Sequence, residues 1–306
     1  MPTETQKTKK IAGSATLALN PVHSGIEERS IDLAGGRMRY LKAGSGRALI
    51  LVHGLMGYSF SWRFTLPALA PYAACYAIDN LGAGLSTAPP GMDCSVRATA
   101  ERVLQFADAV GIGDFDLLGT SHGGGVAIMT AALLAGCRDS RLKRLILVAP
   151  VNPWSPHGKR LAPFLVTPLG SFIFRHTIER WRPLDYLWLR RLFGDGAKIP
   201  PDSLAGYRVP VVQNHGFRHA SHILSTWTAD MKELELALPK VRDYPTLLVW
   251  GTRDRAVPFP SAEPLRRCFR DARLVAFKGV GHLPYEEAVG EFNSALVEFL
   301  TAESKP

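Results

Sequence analysis

The chain has 306 residues, 46% of them hydrophobic, and a formal net charge of +9. A chain of this length can bury a large core and accommodate one large domain with an insertion. No apolar run reaches the roughly 18 residues of a membrane span, and no basic run alternates with aromatic residues as in nucleic-acid-binding modules, so we expect neither a membrane span nor a nucleic-acid partner.

The first residues and the cysteines indicate the compartment. Residues 1–28 are expected to form a flexible basic tail, because their apolar stretch is too short and too diluted by Gly, Ser and Thr for a signal peptide. The cysteines are scattered without C-x-x-C spacing, which favours reduced thiols and a cytoplasmic protein. They are Cys75, Cys94, Cys137 and Cys268.

The predicted elements begin with a hairpin around Gly35-Gly36, with strands at residues 30–32 and 38–41. Continuous apolar runs then predict buried strands, and runs with helical periodicity predict helices between them. The strands are at residues 48–53, 73–78, 115–118, 144–149, 244–251 and 273–277, and the helices are at 60–70, 96–110 and 126–134. This alternation predicts an α/β fold with a doubly wound, mostly parallel sheet and right-handed crossovers.

The turn between the strand at 115–118 and the helix at 126–134 has the pattern G-x-S-x-G, with Ser121 at its centre and glycines at 119 and 123. A serine on so sharp a turn stands above the sheet edge, and the glycines let strand and helix approach closely. The start of the helix offers free N–H groups to an oxyanion. The pattern alone also fits a plain strand-to-helix turn.

Two further residues follow predicted strands: Asp254 comes after the strand at 244–251, and His282 comes after the strand at 273–277. Loops after parallel strands open on one edge of the sheet, so Ser121, Asp254 and His282 can meet there. With the order Ser, Asp, His, the sequence resembles the α/β-hydrolase fold serine hydrolases from about residue 31 to 300.

The resemblance implies a catalytic triad, with Ser121 as nucleophile, His282 as general base and Asp254 holding the imidazole. It also implies an oxyanion hole formed by the backbone N–H groups of Leu55, in the H-G-x stretch at 53–55, and of His122. Dehalogenases and epoxide hydrolases of this fold carry Asp at the elbow, so a serine there argues against those activities. No cofactor and no metal is expected.

Two other polar groups near these motifs are expected to be structural. Asp79 begins a D-x-x-G-x-G-x-S turn, whose spacing differs from that of a dinucleotide-binding loop, and we expect its carboxylate to accept backbone N–H groups. His53 is expected to tie its loop together by hydrogen bonds.

Residues 151–230 differ in composition and pattern from the rest of the chain, because prolines divide them into short segments and aromatic residues are frequent. We interpret them as a mostly helical cap inserted into a core made of residues 29–150 and 231–306. The cap aromatics either form the cap's own small core or line the substrate cavity. The substrate-binding candidates are Phe172, Phe174, Trp181, Trp188 and Trp227.

His215, His219 and His222 are spaced so that one helix face would carry all three. Because no Cys or carboxylate accompanies them, we expect ordinary surface or interface histidines and no zinc site.

The triad with an aromatic cap favours hydrolysis of carboxylic esters with small to medium acyl chains. The expected partner is therefore a small-molecule ester, and the protein is a possible homo-oligomer. One alternative is hydrolysis of a carbon–carbon bond in a ring-fission product, which would use an arginine near the cap to hold a carboxylate. The other is a ligand-binding homologue with low turnover. The candidate arginines are Arg175, Arg180, Arg190 and Arg218.

Overall fold

The computed structural model describes residues 25–155, 164, 165, 167, 169, 170, 172, 173, 176, 182–212 and 215–302. The first strand, β1 (Ile26–Leu33), pairs antiparallel with β2 (Gly36–Ala43). The predicted tail at 1–28 is therefore too long at its end, while residues 1–24 lie outside the described part. The hairpin is present, but β1 begins before the strand predicted at residues 30–32, because the first residues of this edge strand are exposed and mostly polar and are held by backbone pairing with β2 more than by burial.

Eight strands of the described chain form one sheet in the order β1-β2-β4-β3-β5-β6-β7-β8. Neighbouring strands from β3 to β8 pair in parallel, whereas β2 pairs antiparallel with β1 and β4. The doubly wound, mostly parallel sheet is confirmed. The later strands are β3 (Ala48–Val52), β4 (Ala74–Ile78), β5 (Phe115–Thr120), β6 (Leu142–Val148), β7 (Thr246–Gly251) and β8 (Ala272–Phe277).

Helices connect the strands, and two of them are long helices of the core. Helix α2 (Val96–Val110) is capped by the Ser95 side chain and ends at left-handed Gly111, and α3 (His122–Gly136) starts directly after Ser121. The other helices are α1 (Leu66–Leu69), α4 (Arg182–Leu192), α5 (Ser203–Val212), α6 (His215–Ala237), α7 (Ala262–Arg266), α8 (Pro284–Glu287) and α9 (Val289–Thr301).

The single helix expected at residues 60–70 is wrong. The chain forms a 3₁₀ turn, Ser59–Trp62, and then the four-residue α1. Pro67 explains the break: it has no N–H to donate to the Arg63 oxygen four residues earlier, so a helix can start near Pro67 but cannot run through it without losing that bond.

Both faces of the sheet are buried. In β3, Ile50 and Val52 face one core cluster, which also includes residues of α2 and α3. Leu49 and Leu51 face the other, which includes residues of α1 and α9. Because successive residues of a strand point to opposite faces, a strand covered on both sides needs an unbroken apolar run. Such runs are the reason that these strands could be predicted from the sequence.

Helix α6 runs without interruption across the expected cap–core boundary at 230/231. Trp227 and Met231, on either side of that boundary, pack in the same core cluster. The helix therefore belongs to both parts, and the division at this position stays a prediction. Within the described residues, no helix has the length and apolarity needed to cross a membrane.

Candidate active site

Ser121 stands on a strained turn between β5 and α3, with φ 52° and ψ −121°. A Cβ at Gly119 would lie 2.2 Å from the Gly123 oxygen, and one at Gly123 would lie 2.4 Å from the Val52 and His53 oxygens. Strand and helix thus approach to a distance that only glycine permits. This is the sharp elbow that the G-x-S-x-G spacing predicts.

The backbone of Ser121 is held from both sides by β6 and the chain that follows it. The Ser121 N–H donates to the Val148 oxygen at 2.9 Å, and the Ser121 oxygen accepts from the Val151 N–H at 2.9 Å. A positive φ at a residue with a side chain costs about 1–3 kcal/mol and persists only where the surroundings enforce it. Here the neighbouring strand enforces it, and the side chain is left half-buried at the sheet edge.

Asp254 and His282 form a buried hydrogen-bonded pair. The Nδ1 atom of His282 lies 2.7 Å from Oδ2 of Asp254, and both side chains are almost fully buried. The other Asp254 oxygen, Oδ1, accepts the Ala256 and Val257 N–H groups, each at 2.8 Å. With the carboxylate anchored in this way, His282 is held with Nδ1 towards Asp254, which leaves Nε2 as the nitrogen available for proton transfer.

The positions of these residues in the sheet agree with the prediction that they share an edge. Ser121 follows β5, Asp254 lies beyond the end of β7 and His282 beyond the end of β8. These strands are parallel, so their carboxyl ends lie on the same side.

Two backbone N–H groups suited to an oxyanion border Ser121. Residues 54–57 form a turn closed by the Gly57 N–H on the Gly54 oxygen at 3.0 Å, with Met56 at φ 58°. A Cβ at Gly54 would lie 3.0 Å from the Ser121 Cβ, so the turn rests against the serine. Among the described residues, neither the Leu55 N–H nor the His122 N–H has a hydrogen-bond acceptor.

The loops around the site are tied by His53 and Asp79 in the way the sequence predicts. The Nδ1 atom of His53 lies 2.8 Å from the Gly54 oxygen, and Nε2 accepts the Asn80 N–H at 3.0 Å. This acceptor role assigns the proton to Nδ1. Asp79 accepts the Ser59 and Leu85 N–H groups at 2.7 and 3.0 Å.

A cluster of buried histidines at this edge escaped the sequence analysis. His219 of α6 is 6% exposed and packs beside Gly82. Burial lowers the pKa of His219 to about 3, with further contributions from neighbouring His53 and His122, and burial lowers the pKa of His122 to about 3 as well. His219 is thus a buried interface residue and not a surface one. Its helical spacing gave no signal of this, because burial here depends on the distant loop at Gly82.

The other two histidines of this helix are described only in part. His222 lies on the same helix, with Nδ1 3.2 Å from the Met92 oxygen, whereas the side chain of His215 is outside the described part. No group of three or more His, Cys, Asp or Glu side chains with metal-binding geometry occurs in the residues that the structure covers.

The substrate-binding candidates that the structure describes differ in exposure. Phe172 and Trp188 are exposed, at 58% and 46%, while Trp227 is 9% exposed within a core cluster. Trp227 also borders a cavity of about 380 Å³ whose other lining residues include Pro153 and Met231. Phe174 and Trp181 lie outside the described residues, as do Arg175 and Arg180, and Arg190 and Arg218 are exposed. A role in lining the substrate cavity stays a prediction for this set.

Comparison with known families decides the classification. The sequence model of the alpha/beta hydrolase family matches residues 49–295, which include every residue of the candidate site. The chain belongs to this family. As an α/β hydrolase, it has the sheet and the loop positions that the fold uses for catalysis.

Individual relatives of this α/β hydrolase differ in the reactions their names describe. The chain is 28% identical to haloalkane dehalogenase 2 of Mycobacterium tuberculosis H37Rv over 89% of this chain and 94% of the relative. It is 27% identical to 2-hydroxymuconate semialdehyde hydrolase of Pseudomonas sp. CF600 over 92% and 96%. The structure of a meta-cleavage product hydrolase of Pseudomonas fluorescens IP01 superposes with a TM-score of 0.71, 25% identity and coverage of 89% and 96%.

Proposed function

We propose that this α/β hydrolase cleaves carboxylic esters of small to medium acyl chain by nucleophilic catalysis at Ser121. The observation that carries the proposal is the buried Asp254–His282 pair, at the same sheet edge as a serine in a strained elbow. A hydrogen-bonded base, oriented by a carboxylate and presented near a serine, is what acyl transfer requires.

The reaction follows from this arrangement. His282 Nε2 takes the proton of Ser121 as its oxygen attacks the carbonyl carbon, and the N–H groups of Leu55 and His122 receive the oxyanion. The protonated imidazole gives its proton to the leaving alcohol, and Asp254 balances its charge. Water, activated by His282, then attacks the acyl-enzyme, which releases the acid and restores Ser121.

Carbon–carbon bond hydrolysis is the second candidate, favoured by the likeness to 2-hydroxymuconate semialdehyde hydrolase over nine-tenths of the chain. Dehalogenation is not proposed despite the similar relative, because Ser121 occupies the elbow position where dehalogenases of this fold carry Asp. Ester hydrolysis is placed first because it needs only the nucleophile, base and oxyanion groups already described, whereas no described cap arginine stands out as the carboxylate-binding group of a ring-fission product.

The nucleophile is tested by Ser121→Ala, which should lower ester turnover by roughly 10³-fold or more while leaving the fold intact. Ser225→Ala, the same change on the exposed side of α6, is the control and should keep wild-type activity. Initial rates on p-nitrophenyl butyrate and circular dichroism give the two readouts. A Ser121→Ala protein that kept a tenth of the activity would show that another group is the nucleophile.

The substrate class is tested by comparing p-nitrophenyl esters from C2 to C12 with a vinylogous diketone acid. The proposal predicts the highest kcat/KM on one of the shorter esters. Faster cleavage of the diketone acid would instead assign carbon–carbon hydrolysis. Rapid labelling of Ser121 by a fluorophosphonate without turnover of either class would indicate a ligand-binding homologue.

A further inference from the structure

Glu287 is a buried carboxylate that the proposed reaction does not use. It closes α8, five residues after His282, and is 7% exposed. Its Oε2 accepts the N–H groups of Gly281 at 2.7 Å and Gly194 at 2.9 Å, and its Oε1 accepts the Asp195 N–H at 2.8 Å. One carboxylate therefore joins two chain segments that lie almost 90 residues apart.

The two segments also contact each other directly through their backbones. The His282 N–H donates to the oxygen of Leu192, the last residue of α4, at 2.6 Å. A Cβ at Gly194 would lie 2.0 Å from the Gly279 oxygen, and one at Gly281 would lie 2.3 Å from the Leu192 oxygen. Such close packing means that the His282 loop cannot move independently of the chain that leaves α4.

The neighbouring Glu286 has a different role. It pairs with Arg63 at 2.8 Å, accepts the Ser203 hydroxyl at 2.7 Å and accepts a further bond from the Tyr207 hydroxyl. Glu286 thus fixes the start of α5 to the core through a cation and side-chain hydroxyls. In the part of the chain that the structure covers, Glu287 receives backbone N–H groups and forms no ion pair, so its bonds set backbone positions directly.

A buried carboxylate is costly to desolvate, and this one is compensated by three charge-assisted hydrogen bonds. One of these bonds holds Gly281, the residue before His282, and the other two tie the same carboxylate to Gly194 and Asp195. Because the imidazole must be within hydrogen-bond reach of the serine, a displacement of about 1 Å lowers the rate by roughly 100-fold.

We propose that Glu287 is a positioning residue for His282, clamping the loop of the general base to the segment that leaves α4, so that the base is correctly placed only when Leu192–Asp195 is docked. The proposal rests on the proposed function, since it assumes that His282 is the general base. It makes residues 192–195 a fixed support of the active site.

The test compares Glu287→Gln with Glu291→Gln. The first variant keeps the shape of the side chain but presents an NH₂ group to one or more of the backbone N–H donors. The second makes the same chemical change at an exposed position at the start of α9. Glu287→Gln should lower kcat roughly 10- to 100-fold and change KM by less than about threefold. Glu291→Gln should match the wild type in both.

Two further measurements separate positioning from general stability. Fluorophosphonate labelling of Ser121 should slow in Glu287→Gln by a factor close to that of kcat. Hydrogen exchange of the backbone amides should accelerate in residues 192–195 and 279–283 together, with other core segments unchanged. If Glu287→Gln does not accumulate as folded protein, Glu287→Asp is measured in the same way, since it keeps the charge but is one methylene too short for all three donors.

An unchanged kcat in Glu287→Gln, or faster exchange in one segment alone, would overturn the proposal. The proposal would also be overturned if Glu287→Gln lost stability and activity in equal measure and unrelated substitutions in the core gave the same result. Failure of the proposed function is a separate result: a wild-type protein inactive on all esters would refute ester hydrolysis, while the paired exchange and labelling rates would still support or overturn the clamp.

Discussion

Ser121 combines two demands at one residue, an accessible hydroxyl and a backbone conformation that disfavours any side chain. Strand β6 and the chain that follows it enforce this conformation by binding the N–H and the oxygen of the serine. The strain is therefore a cost to stability that the fold accepts in order to present the proposed nucleophile. At the start of α3 the serine side chain forms no capping hydrogen bond, so it does not offset that cost locally.

This strain predicts an inverted order of stability between two inactive variants. Ser121→Gly should be more stable than Ser121→Ala by roughly 1 kcal/mol, because glycine adopts the positive φ without a clash and is also preferred to alanine at a helix start. In an ordinary helix interior, alanine is the more stabilising of the two. Urea denaturation of both variants measures the difference. An alanine variant as stable as the glycine variant would mean that the turn relaxes when the hydroxyl is removed.

At the residue scale, the sequence predicted the placement of residues whose position depends on the loop or turn that carries them. The spacing of the elbow and the positions of Asp254 and His282 after strands were sufficient to place all three residues on one edge. The burial of His219 and the three bonds to Glu287 were not predictable, because each depends on contacts between segments far apart in the chain. Composition gives no sign of such contacts, because Glu287 is one of two adjacent glutamates, a residue type that is mostly exposed in folded proteins.

At the element scale, α6 spans the boundary that the sequence predicts between cap and core. Its first turns carry His219 against the loop at Gly82, and its later turns carry Trp227 and Met231 into the core cluster. The two ends of this helix therefore pack against different parts of the chain. The aromatic content of residues 151–230 could not distinguish these roles, since a buried and an exposed tryptophan look alike in sequence.

Burial predicts losses of stability of different size for two tryptophans of the predicted cap. Trp227→Ala should lower the free energy of unfolding by about 3–5 kcal/mol, as expected for removing a large buried aromatic side chain. Trp188→Ala, at a half-exposed position on α4, should lower it by about 1 kcal/mol or less. Chemical denaturation measures both, and ester chain-length profiles of the folded variants show whether either also affects substrate choice. Equal losses would indicate that Trp188 is covered in solution.

Strands and helices were predictable to different degrees, for a physical reason. Strands covered on both faces show as continuous apolar runs, and the predicted positions of β3 to β7 agree with the structure to within a few residues, as does that of the partly exposed edge strand β8. Edge strand β1 lacks such a run, and the region of α1 depends on whether a helix can continue through Pro67. The start of β1 depends on backbone pairing at a sheet edge, and the start of α1 depends on the proline. The periodicity of apolar residues shows neither of them.

For the whole molecule, the buried histidines predict how stability depends on pH. Burial lowers the pKa of His53, and it lowers the pKa values of His122 and His219 to about 3. In the unfolded chain these imidazoles gain protons near their ordinary value of about 6.5. Between these limits the unfolded state binds more protons, so stability is fully present above pH about 6.5 and falls as the pH drops towards 3.

Each such histidine should contribute a slope of up to about 1.4 kcal/mol per pH unit within this window. His219→Phe, which replaces the imidazole by a ring that cannot take a proton, should therefore show a smaller loss of stability between pH 7 and pH 5 than the wild type. His176→Phe, at a position that is not fully buried, is the control. Urea denaturation series at several pH values give the slopes, and identical slopes in His219→Phe and wild type would contradict the assignment.

The order of the strands also bears on how the protein is made. Ser121 follows β5, in the middle of the sheet, whereas His282 follows β8 at its far edge. At synthesis rates of about 5–20 residues per second, the ribosome makes His282 roughly 10–30 s after Ser121. The elbow can therefore form early on the emerging chain. The proposed catalytic arrangement is complete only after β8 and the loop at His282 have been made, and the contacts of Leu192 and Asp195 with His282 and Glu287 wait for the same loop.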